Sequence, residues 1–451
     1  MKFSEMPYAR PDLDAVKQQF ADLLTRFKAA ATYAEAHAVF LEEEKLNKHV
    51  DTLAQLASVR NTIDTRDKFY DEEMNFWNEA TPQLQECQNA WSRAMLDSPF
   101  RADFTAEYGD LMFVNAEIAD KAFSPDILDE MAQENKLTTE YGKLIASAQI
   151  PFEGGVYTLS QLSPFKNDPD DARRLAAWKA EGAWYKEHGA EFDGLYDQLM
   201  DVLSTPGKAG GGYCTSLGDY EMPFIFANFN GTQHDVEVVT HEAGHAFAAY
   251  MNRDRIPYSY VWPSMEACEV HSMSMEFFAW PWADGFFGAD ARKFRYSHLA
   301  GALTFIPYGT MVDHFQHIVY EHPELTPAQR HEEWKKLAAI YQPWMRLDGE
   351  IPFYGAGEYW QRQMHIYQSP FYYIDYCLAQ TVSLQFWAML QKDRADAWSH
   401  YMAYTKQGGS RTFTELLKNA GLTTPFEESC LRGVSEAAKA WLDSYDLTGI
   451  L

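Results

Sequence analysis

The chain has 451 residues, of which 46% are hydrophobic and 23% are charged, a balance that suits a globular protein with a large core and excludes a disordered chain. Its 38 Lys and Arg stand against 65 Asp and Glu, giving a formal net charge of −27. A field of that sign repels phosphate backbones and anionic lipids. We therefore expect neither a nucleic acid nor a membrane as a partner.

The cysteines and the N-terminus bear on the cellular compartment. Five cysteines are scattered without CxxC spacing, which favours a reducing compartment over a disulfide framework. The opening MKFSEMPYARPDLDAVKQQF carries charges and prolines where a secretory signal needs an apolar stretch. No apolar run approaches the roughly 18 residues of a membrane span. The sequence predicts a cytoplasmic protein and leaves its oligomeric state open.

The first part of the chain is predicted to be a helical array, residues 1–203. Apolar residues recur with the period of an α-helix from the start, as in Leu13, Val16, Phe20, Leu23, Leu24 and Phe27. Residues 149–165 (QIPFEGGVYTLSQLSPF) place a Gly-Gly turn between β-prone pieces and predict a short hairpin. The next helix is expected to begin with Asp168 as its N-cap and Pro169 at its first position. The acidic runs LEEEKL and YDEEM predict solvated helix faces.

The pattern changes near residue 204, where a second, catalytic domain is predicted to begin, residues 204–451. STPGKAGGGYCTS is rich in glycine, and PFIFANFNGT is an apolar run that ends in a turn, so we expect a loop, a strand and a turn. The PFIFANF segment is either a purely structural strand or a sheet edge on which an extended peptide can lie. After residue 235 the chain is predicted to be helical almost to its end.

The segment VVTHEAGHAF, residues 238–247, places His241 and His245 four positions apart with Glu242 between them. The T-x-x-D pattern from Thr232 to Asp235, ahead of an apolar-periodic run, predicts that a capped helix begins here. Residues four apart lie about 5–6 Å apart at Cβ on one helix face, so both imidazoles can bind one zinc ion. Glu242 would lie beside the ion as a general base for amide hydrolysis. A polar helix face without metal is the alternative.

A third ligand has to come from elsewhere in the chain. The residues after His245, AFAAYM, lack the Gly and His of a metzincin, which excludes that class. Downstream, SMEACEVHSMSMEFF places Glu266, Glu269 and Glu276 on one helical face. We expect Glu269 to be the ligand, and the other two glutamates to orient an imidazole N–H. Helical geometry alone leaves Glu266 open as the ligand.

At this point the chain resembles the M3 family of zinc metallopeptidases, the group of thimet oligopeptidase and oligoendopeptidase F. HEAGH followed by EVHSMSME carries the resemblance, and so do GGGYC, PFIFANFNGT and HIYQSPFYYIDYCLAQ. It extends over essentially the whole chain. The resemblance implies a mostly α, zincin-like helical fold with a small β-sheet beside the HExxH helix and a deep substrate channel. It also implies one Zn²⁺ per chain and cleavage of short peptides.

Carried over to this sequence, the resemblance makes His241, His245 and Glu269 the metal ligands and Glu242 the general base. The family also stabilises the oxyanion with a His and Tyr cluster. The corresponding region here offers His365, Tyr367, Tyr372, Tyr373 and Tyr376. We expect His365, Tyr372 and Tyr376 to be catalytic, whereas aromatic packing explains at least half of the cluster.

Two departures from the family pattern qualify the resemblance. One tyrosine position falls at Ile374, which leaves open which tyrosine acts. A helical stretch ahead of residue 204 is expected to be missing relative to the family.

The sequence therefore predicts a zinc-dependent oligoendopeptidase that cleaves internal bonds of short peptides. One alternative is a zinc exopeptidase of the peptidyl-dipeptidase type. The other is a relative that binds peptides without catalysis. Ligand chemistry alone also permits Mn²⁺ or Co²⁺ in place of Zn²⁺.

Overall fold

A computed structural model describes residues 2–122, 124–197 and 212–449. The described residues form nineteen α-helices, a few short 3₁₀ turns and two small antiparallel sheets of two strands each. The mostly α fold class is therefore confirmed. No described helix combines the length and the apolarity that a membrane crossing needs.

The N-terminal helices pack along the apolar stripes that the sequence predicts. In the first helix, Val16, Phe20, Leu23 and Phe27 are buried, and the Asp12 side chain accepts a hydrogen bond from the Ala15 N–H at its N-cap. The helices of this region are α1 (Leu13–Ala29), α2 (Tyr33–Ile63), α3 (Lys68–Leu96), α4 (Arg101–Tyr108), α5 (Leu111–Ala122) and α6 (Leu128–Ala146).

The prediction that the two acidic runs are solvated is wrong for one residue in each run. Glu42 is exposed and pairs with Arg26 at 2.7 Å, as expected. Glu43 and Glu73, however, are each only 2% exposed. The reason is tertiary, because α2 and α3 pack against each other and both pack against α1, which leaves few of their faces open to solvent.

The predicted hairpin is shorter than expected. Strands β1 (Ile150–Phe152) and β2 (Gly155–Tyr157) pair antiparallel around the Glu153–Gly154 turn. Residues after this hairpin form a helix, α7 (Leu159–Lys166), so the strand prediction is wrong there. Thr158 and Gln161 cap α7 reciprocally, which makes helix the better local solution for TLSQLSPF.

The next helix also begins later than predicted. The helix α8 (Asp171–Glu187) has Asp170 as its N-cap, and the Asp170 carboxylate accepts from the Arg173 N–H at 2.9 Å. Asp168 instead accepts from the Asp170 N–H within the preceding turn. The N-cap prediction at Asp168 is therefore wrong by two residues. A short helix, α9 (Gly189–Asp197), follows.

The second part of the chain places a small sheet beside a long helix. Strands β3 (Tyr213–Leu217) and β4 (Met222–Phe226) pair antiparallel, and both contact α10 (Gln233–Met251). The helix α11 (Met265–Phe278) packs between α10 and α16 and is buried along most of its length. The remaining helices are α12 (Ala283–Phe287), α13 (Ala291–Glu321), α14 (Pro327–Tyr341), α15 (Met364–Gln368), α16 (Tyr373–Leu390), α17 (Arg394–Thr405), α18 (Phe413–Asn419) and α19 (Glu428–Ser444).

One large hydrophobic cluster joins the two predicted domains. It combines side chains from residues 137–192 with side chains from residues 311–373. Tyr185 stacks on Phe353 with ring centroids 4.4 Å apart, and Tyr141 stacks on Tyr367 at 4.1 Å. The division at residue 203 stays a prediction. The expected missing stretch before residue 204 lies outside the described residues.

Candidate active site

The start of α10 is fixed by a carboxylate that closes the preceding turn. Asp235 accepts hydrogen bonds from the backbone N–H groups of Asn230 and Gly231 at 2.7–3.0 Å. Thr232 is the N-cap, but its hydroxyl donates to Asn230 Oδ1 instead of accepting from the helix backbone. The predicted helix start is present, whereas the predicted reciprocal cap is not formed.

Helices α10 and α11 touch through their backbones at Gly244. A Cβ atom built on Gly244 would lie 2.5 Å from the His271 carbonyl oxygen and 2.6 Å from Ser272 Cα. Glycine suits this approach, because the side chain of any larger residue would overlap these backbone atoms unless the two helices moved apart. The contact brings the His241 face of α10 within reach of Glu269 on α11.

The three predicted metal ligands come together at this contact. Nε2 of His241 and Nε2 of His245 lie 3.1 and 3.3 Å from Glu269 Oε2. One candidate ligand atom from each residue lies within 4.8 Å of the other two, and this is the only such group of three found in the described part of the chain. Two imidazole nitrogens and one carboxylate fit Zn²⁺ and leave its fourth position open for catalysis. The donor set therefore fits the expected ion.

A hydrogen-bonded chain behind His241 fixes its ring. The Trp280 indole N–H donates to His298 Nδ1 at 3.0 Å, so His298 carries its proton on Nε2 and donates to Glu276 Oε2 at 2.7 Å. Glu276 Oε1 accepts from His241 Nδ1–H at 2.8 Å, which turns His241 Nε2 toward Glu269. Burial opposes ionisation of Glu276, but the hydrogen bonds from His241 and His298 lower its pKa to about 2.

Of the two glutamates expected to orient an imidazole, only Glu276 does so. Glu266 is half-buried and accepts a hydrogen bond from the Ser264 hydroxyl at 2.9 Å, away from either imidazole. His298, which lies on α13, was not predicted from the sequence. Helical periodicity relates only residues of the same helix, so no spacing rule pointed to it.

Glu242 lies beside the ligand group without joining it. Its side chain is 5% exposed, and Oε2 has no hydrogen-bond partner within the described part of the protein. Burial raises the pKa of Glu242 above the usual carboxyl range. A carboxyl group of raised basicity with an available oxygen is suited to accepting a proton and returning it.

His365 faces Glu242 and Glu269 across the same cavity as a neutral donor. Burial lowers the pKa of His365 to about 4. The Gln363 amide lies 2.7 Å from His365 Nδ1, and its oxygen accepts from the Tyr308 hydroxyl at 2.8 Å, so the amide N–H points at Nδ1. Nε2 then carries the ring proton, 3.3 Å from the Tyr376 hydroxyl. Neither Gln363 nor Tyr308 was predicted from the sequence.

The five candidates of the His and Tyr cluster divide into two groups. His365, Tyr372 and Tyr376 line the cavity, and Tyr372 donates to Glu269 Oε1. Burial raises the pKa of both Tyr372 and Tyr376, which keeps their hydroxyl groups protonated. Tyr367 and Tyr373 belong to the hydrophobic core.

The cavity that holds these groups has a volume of about 410 Å³. Its walls come from β3, α10, α11 with the segment before it, and residues 364–376. Strand β3 contributes Tyr213, Cys214 and Thr215, whereas no residue of β4 lines it. The PFIFANF segment, which contains most of β4, therefore lies one strand away from the cavity.

A larger cavity of about 770 Å³ lies on the other side of α10. Its walls are almost entirely apolar, and its only charged residue is Arg394. No carboxyl group or imidazole is among its described lining residues, so the smaller cavity is the candidate active site.

Comparisons with known proteins agree with this geometry. Residues 3–123 match the family model described as the peptidase M3 N-terminal domain, and residues 179–436 match the model described as peptidase family M3. The fold is similar to a solved structure of PZ peptidase A with inhibitor 2, with a TM-score of 0.95 and 36% identity over 99% of this chain and 100% of that chain. It is equally similar to a protein provisionally described as oligoendopeptidase F, with a TM-score of 0.96 and 37% identity over 99% of both chains.

Oligopeptidase PepF of Bacillus subtilis (strain 168) is 28% identical over 253 residues, which cover 53% of this chain. The match spans only 36% of the length of PepF, about a third of that protein.

Proposed function

Because the chain belongs to peptidase family M3, we propose that it is a zinc-dependent oligoendopeptidase that hydrolyses internal bonds of short peptides. The observation that carries the proposal is the convergence of His241, His245 and Glu269 beside the buried carboxyl of Glu242. The five cysteines of the chain are free, which supports a cytoplasmic location for the protein.

Nε2 of His241, Nε2 of His245 and the Glu269 carboxylate would hold one Zn²⁺. When bound, the ion supplies Lewis-acid polarisation of the substrate carbonyl and lowers the pKa of a coordinated water to about 7. Ser272 and Tyr372 steady Glu269 by donating to its two carboxylate oxygens.

Glu242 acts as the general base and then as the general acid. It accepts a proton from the water that attacks the scissile carbonyl carbon, and it delivers that proton to the leaving amine nitrogen. The raised pKa of Glu242 supports this role, because a stronger base accepts the proton more readily at neutral pH.

The oxyanion that forms at the scissile carbonyl needs hydrogen-bond donors. We assign this role to His365 Nε2–H and the Tyr376 hydroxyl, which lie side by side on the cavity wall. Each such donor is typically worth about 3 kcal/mol of barrier. Tyr372, whose hydroxyl donates to Glu269, becomes a third donor when it exchanges that hydrogen bond for one to the oxyanion.

The sheet beside the cavity suggests how a peptide is held. An extended backbone can lie along β3, the strand whose residues line the cavity, because main-chain hydrogen bonds bind peptides without regard to their side chains. A cavity of about 410 Å³ admits a few residues of extended chain and excludes a folded domain.

The decisive experiment measures cleavage of an internally quenched peptide together with bound zinc. Glu242→Gln should lower kcat by about 10²- to 10⁴-fold, because the general base is lost while the ligands remain. Zinc content should stay at one per chain. Glu237→Gln is the matched control, since it changes the same residue type on the same helix outside the cavity. Full activity in Glu242→Gln would overturn the mechanism.

The cleavage products separate the endopeptidase from the two alternatives. A C-terminally amidated peptide cut at an internal bond supports the endopeptidase. Release of C-terminal dipeptides from free peptides alone would indicate an exopeptidase of the peptidyl-dipeptidase type. Intact peptide recovered from zinc-loaded protein would indicate a relative that binds peptides without catalysis.

A further inference from the structure

A third cavity, of about 290 Å³, lies between α2, α3, α5 and the segment that joins α10 to α11. None of its lining residues belongs to the candidate active site. Two adjacent glutamates, Glu43 and Glu44, face it together with several carboxamide side chains.

Glu43 is the unusual group in this cavity. Its side chain is 2% exposed, and it has neither a hydrogen bond nor an ion pair with any residue that the structure describes. A buried carboxylate without a partner is costly, so such a group either stays protonated or meets a cation. Burial, and secondarily the charge of Glu44, raise the pKa of Glu43 to about 8.

Glu44 provides a second acid that lacks a cation. The Glu44 carboxylate accepts a hydrogen bond from the backbone N–H of Tyr258. No Lys, Arg or His in the described part of the chain forms an ion pair with Glu44. Burial raises its pKa to about 7. The two carboxyl groups thus share one cavity with no positive side chain to balance them.

The remaining walls suit an organic cation. Asn89 is 3% exposed, and its side-chain nitrogen has no partner among the described residues. A 180° flip of the amide exchanges this nitrogen for the oxygen, which can accept a hydrogen bond from a positive group. Phe40 and Trp91 add aromatic rings, which attract ammonium and guanidinium groups through cation–π contacts.

We propose that this cavity is a binding site for an organic cation, an ammonium or guanidinium group, with Glu43 and Glu44 as its counter-charges. A bare metal ion fits less well. The cavity is far larger than one ion, and the described His, Cys, Asp and Glu residues converge in a group of three only at His241, His245 and Glu269.

The position of the cavity gives the site a structural consequence. Pro257 and Ser259 form part of its wall, and Glu44 holds the backbone of Tyr258 between them. This segment leads from α10, which carries the two histidines, to α11, which carries Glu269. A bound cation therefore contacts both the N-terminal helices and the connection between the two metal-site helices.

The cation can come from a free amine or from a basic side chain of a peptide. Isothermal titration of the full chain with agmatine, and separately with the blocked peptide acetyl-Ala-Arg-Ala-amide, distinguishes these sources. The titrations are run above the Glu43 pKa of about 8, so that the carboxyl group is ionised. Saturable binding of either probe is expected, and the tighter one identifies the source.

Two variants and one matched control locate the binding. Glu43→Gln should weaken binding roughly 10-fold or more, because a buried charge-assisted hydrogen bond is lost. Ala116→Phe, which fills the cavity from α5 and leaves both acids in place, should weaken it as well. Glu42→Gln should leave it unchanged, since Glu42 is exposed and pairs with Arg26. Absence of binding at millimolar probe, binding of MgCl₂ alone, or binding that survives in Glu43→Gln would overturn the proposal.

Discussion

Burial keeps the hydrogen-bond donors on one wall of the candidate active site uncharged. His365 loses its proton because its ring is enclosed, which lowers its pKa to about 4. Tyr372 and Tyr376 keep their protons for the same reason. The wall opposite Glu242 therefore presents neutral hydrogen-bond donors at neutral pH, as an oxyanion requires.

At the residue scale, His298 is expected to tune metal affinity without touching the metal. His298→Phe removes a donor from Glu276, which then orients His241 less firmly. Zinc affinity, measured by competition with a chelator, should fall about 10- to 100-fold. His314→Phe on the same helix is the control, because His314 is exposed and its Nδ1 lies 3.1 Å from the Tyr341 hydroxyl, outside the candidate active site. Equal zinc affinity in His298→Phe and the parent would contradict the role.

A second prediction at this scale concerns Glu43 and pH. In the folded state the pKa of Glu43 is about 8, above the ordinary value of 4.5. Between pH 4.5 and 8, the folded protein therefore keeps a proton on Glu43 that the unfolded chain releases. Glu43 therefore destabilises the protein progressively as pH rises from about 4.5 to 8. Glu43→Gln should raise Tm at pH 9 and change it little at pH 4.5.

The control for this pH dependence is the neighbouring acid. Glu42→Gln should not raise Tm at pH 9, because that carboxylate is exposed and paired. The same change in Tm between acidic and alkaline pH in both variants would show that the buried carboxyl of Glu43 does not cause the pH dependence of stability.

At the scale of elements, the backbone contact between α10 and α11 sets the geometry of the site. Gly244→Ala places a methyl group 2.5 Å from a backbone oxygen, so the helices must separate. Overpacking of this kind costs about 1–3 kcal/mol, and it also moves the histidines away from Glu269. Both Tm and zinc affinity should fall.

Gly301→Ala in α13 is the matched control, because no described atom beyond its chain neighbours and the adjacent backbone of its own helix lies within 4 Å of the added Cβ. Replacing a helical glycine there should leave zinc affinity unchanged and stabilise the protein by up to about 1 kcal/mol. A Gly244→Ala protein as stable as Gly301→Ala would show that the helices do not touch as described.

Local signals explain why some element boundaries were predicted and others were not. The capping pair Thr158 and Gln161 is visible in the sequence and could have identified α7, but the β-prone residues before it dominated the interpretation. In NDPDDA, several aspartates can serve as an N-cap, and only the arrangement of the turn selects Asp170. Short elements are ambiguous because few residues define their period.

At the scale of the whole molecule, the shared core makes the two predicted domains dependent on each other. Residues 204–451 expressed alone would expose the surfaces of Phe353 and Tyr367 that Tyr185 and Tyr141 cover. We expect this fragment to be insoluble or to lack near-ultraviolet circular dichroism. Co-expression with residues 1–203 should restore both solubility and signal. A soluble, folded fragment would show that the domains are independent.

The sequence by itself determined the parts of the site that lie within one helix. His241, Glu242 and His245 follow from helical spacing alone, because residues four apart share a face whatever surrounds them. The helical content also followed from the period of the apolar residues. Chemistry and spacing narrowed the third ligand to two glutamates, and the family resemblance favoured Glu269.

Only the tertiary structure decided what meets across elements. The contact at Gly244, the chain from Trp280 through His298 to Glu276, and the burial of Glu43 all depend on how separate helices pack. Packing is a long-range property, set by the sum of many weak contacts between residues far apart in the chain. A periodic pattern indicates which face of a helix is buried, but it does not indicate which other element packs against that face.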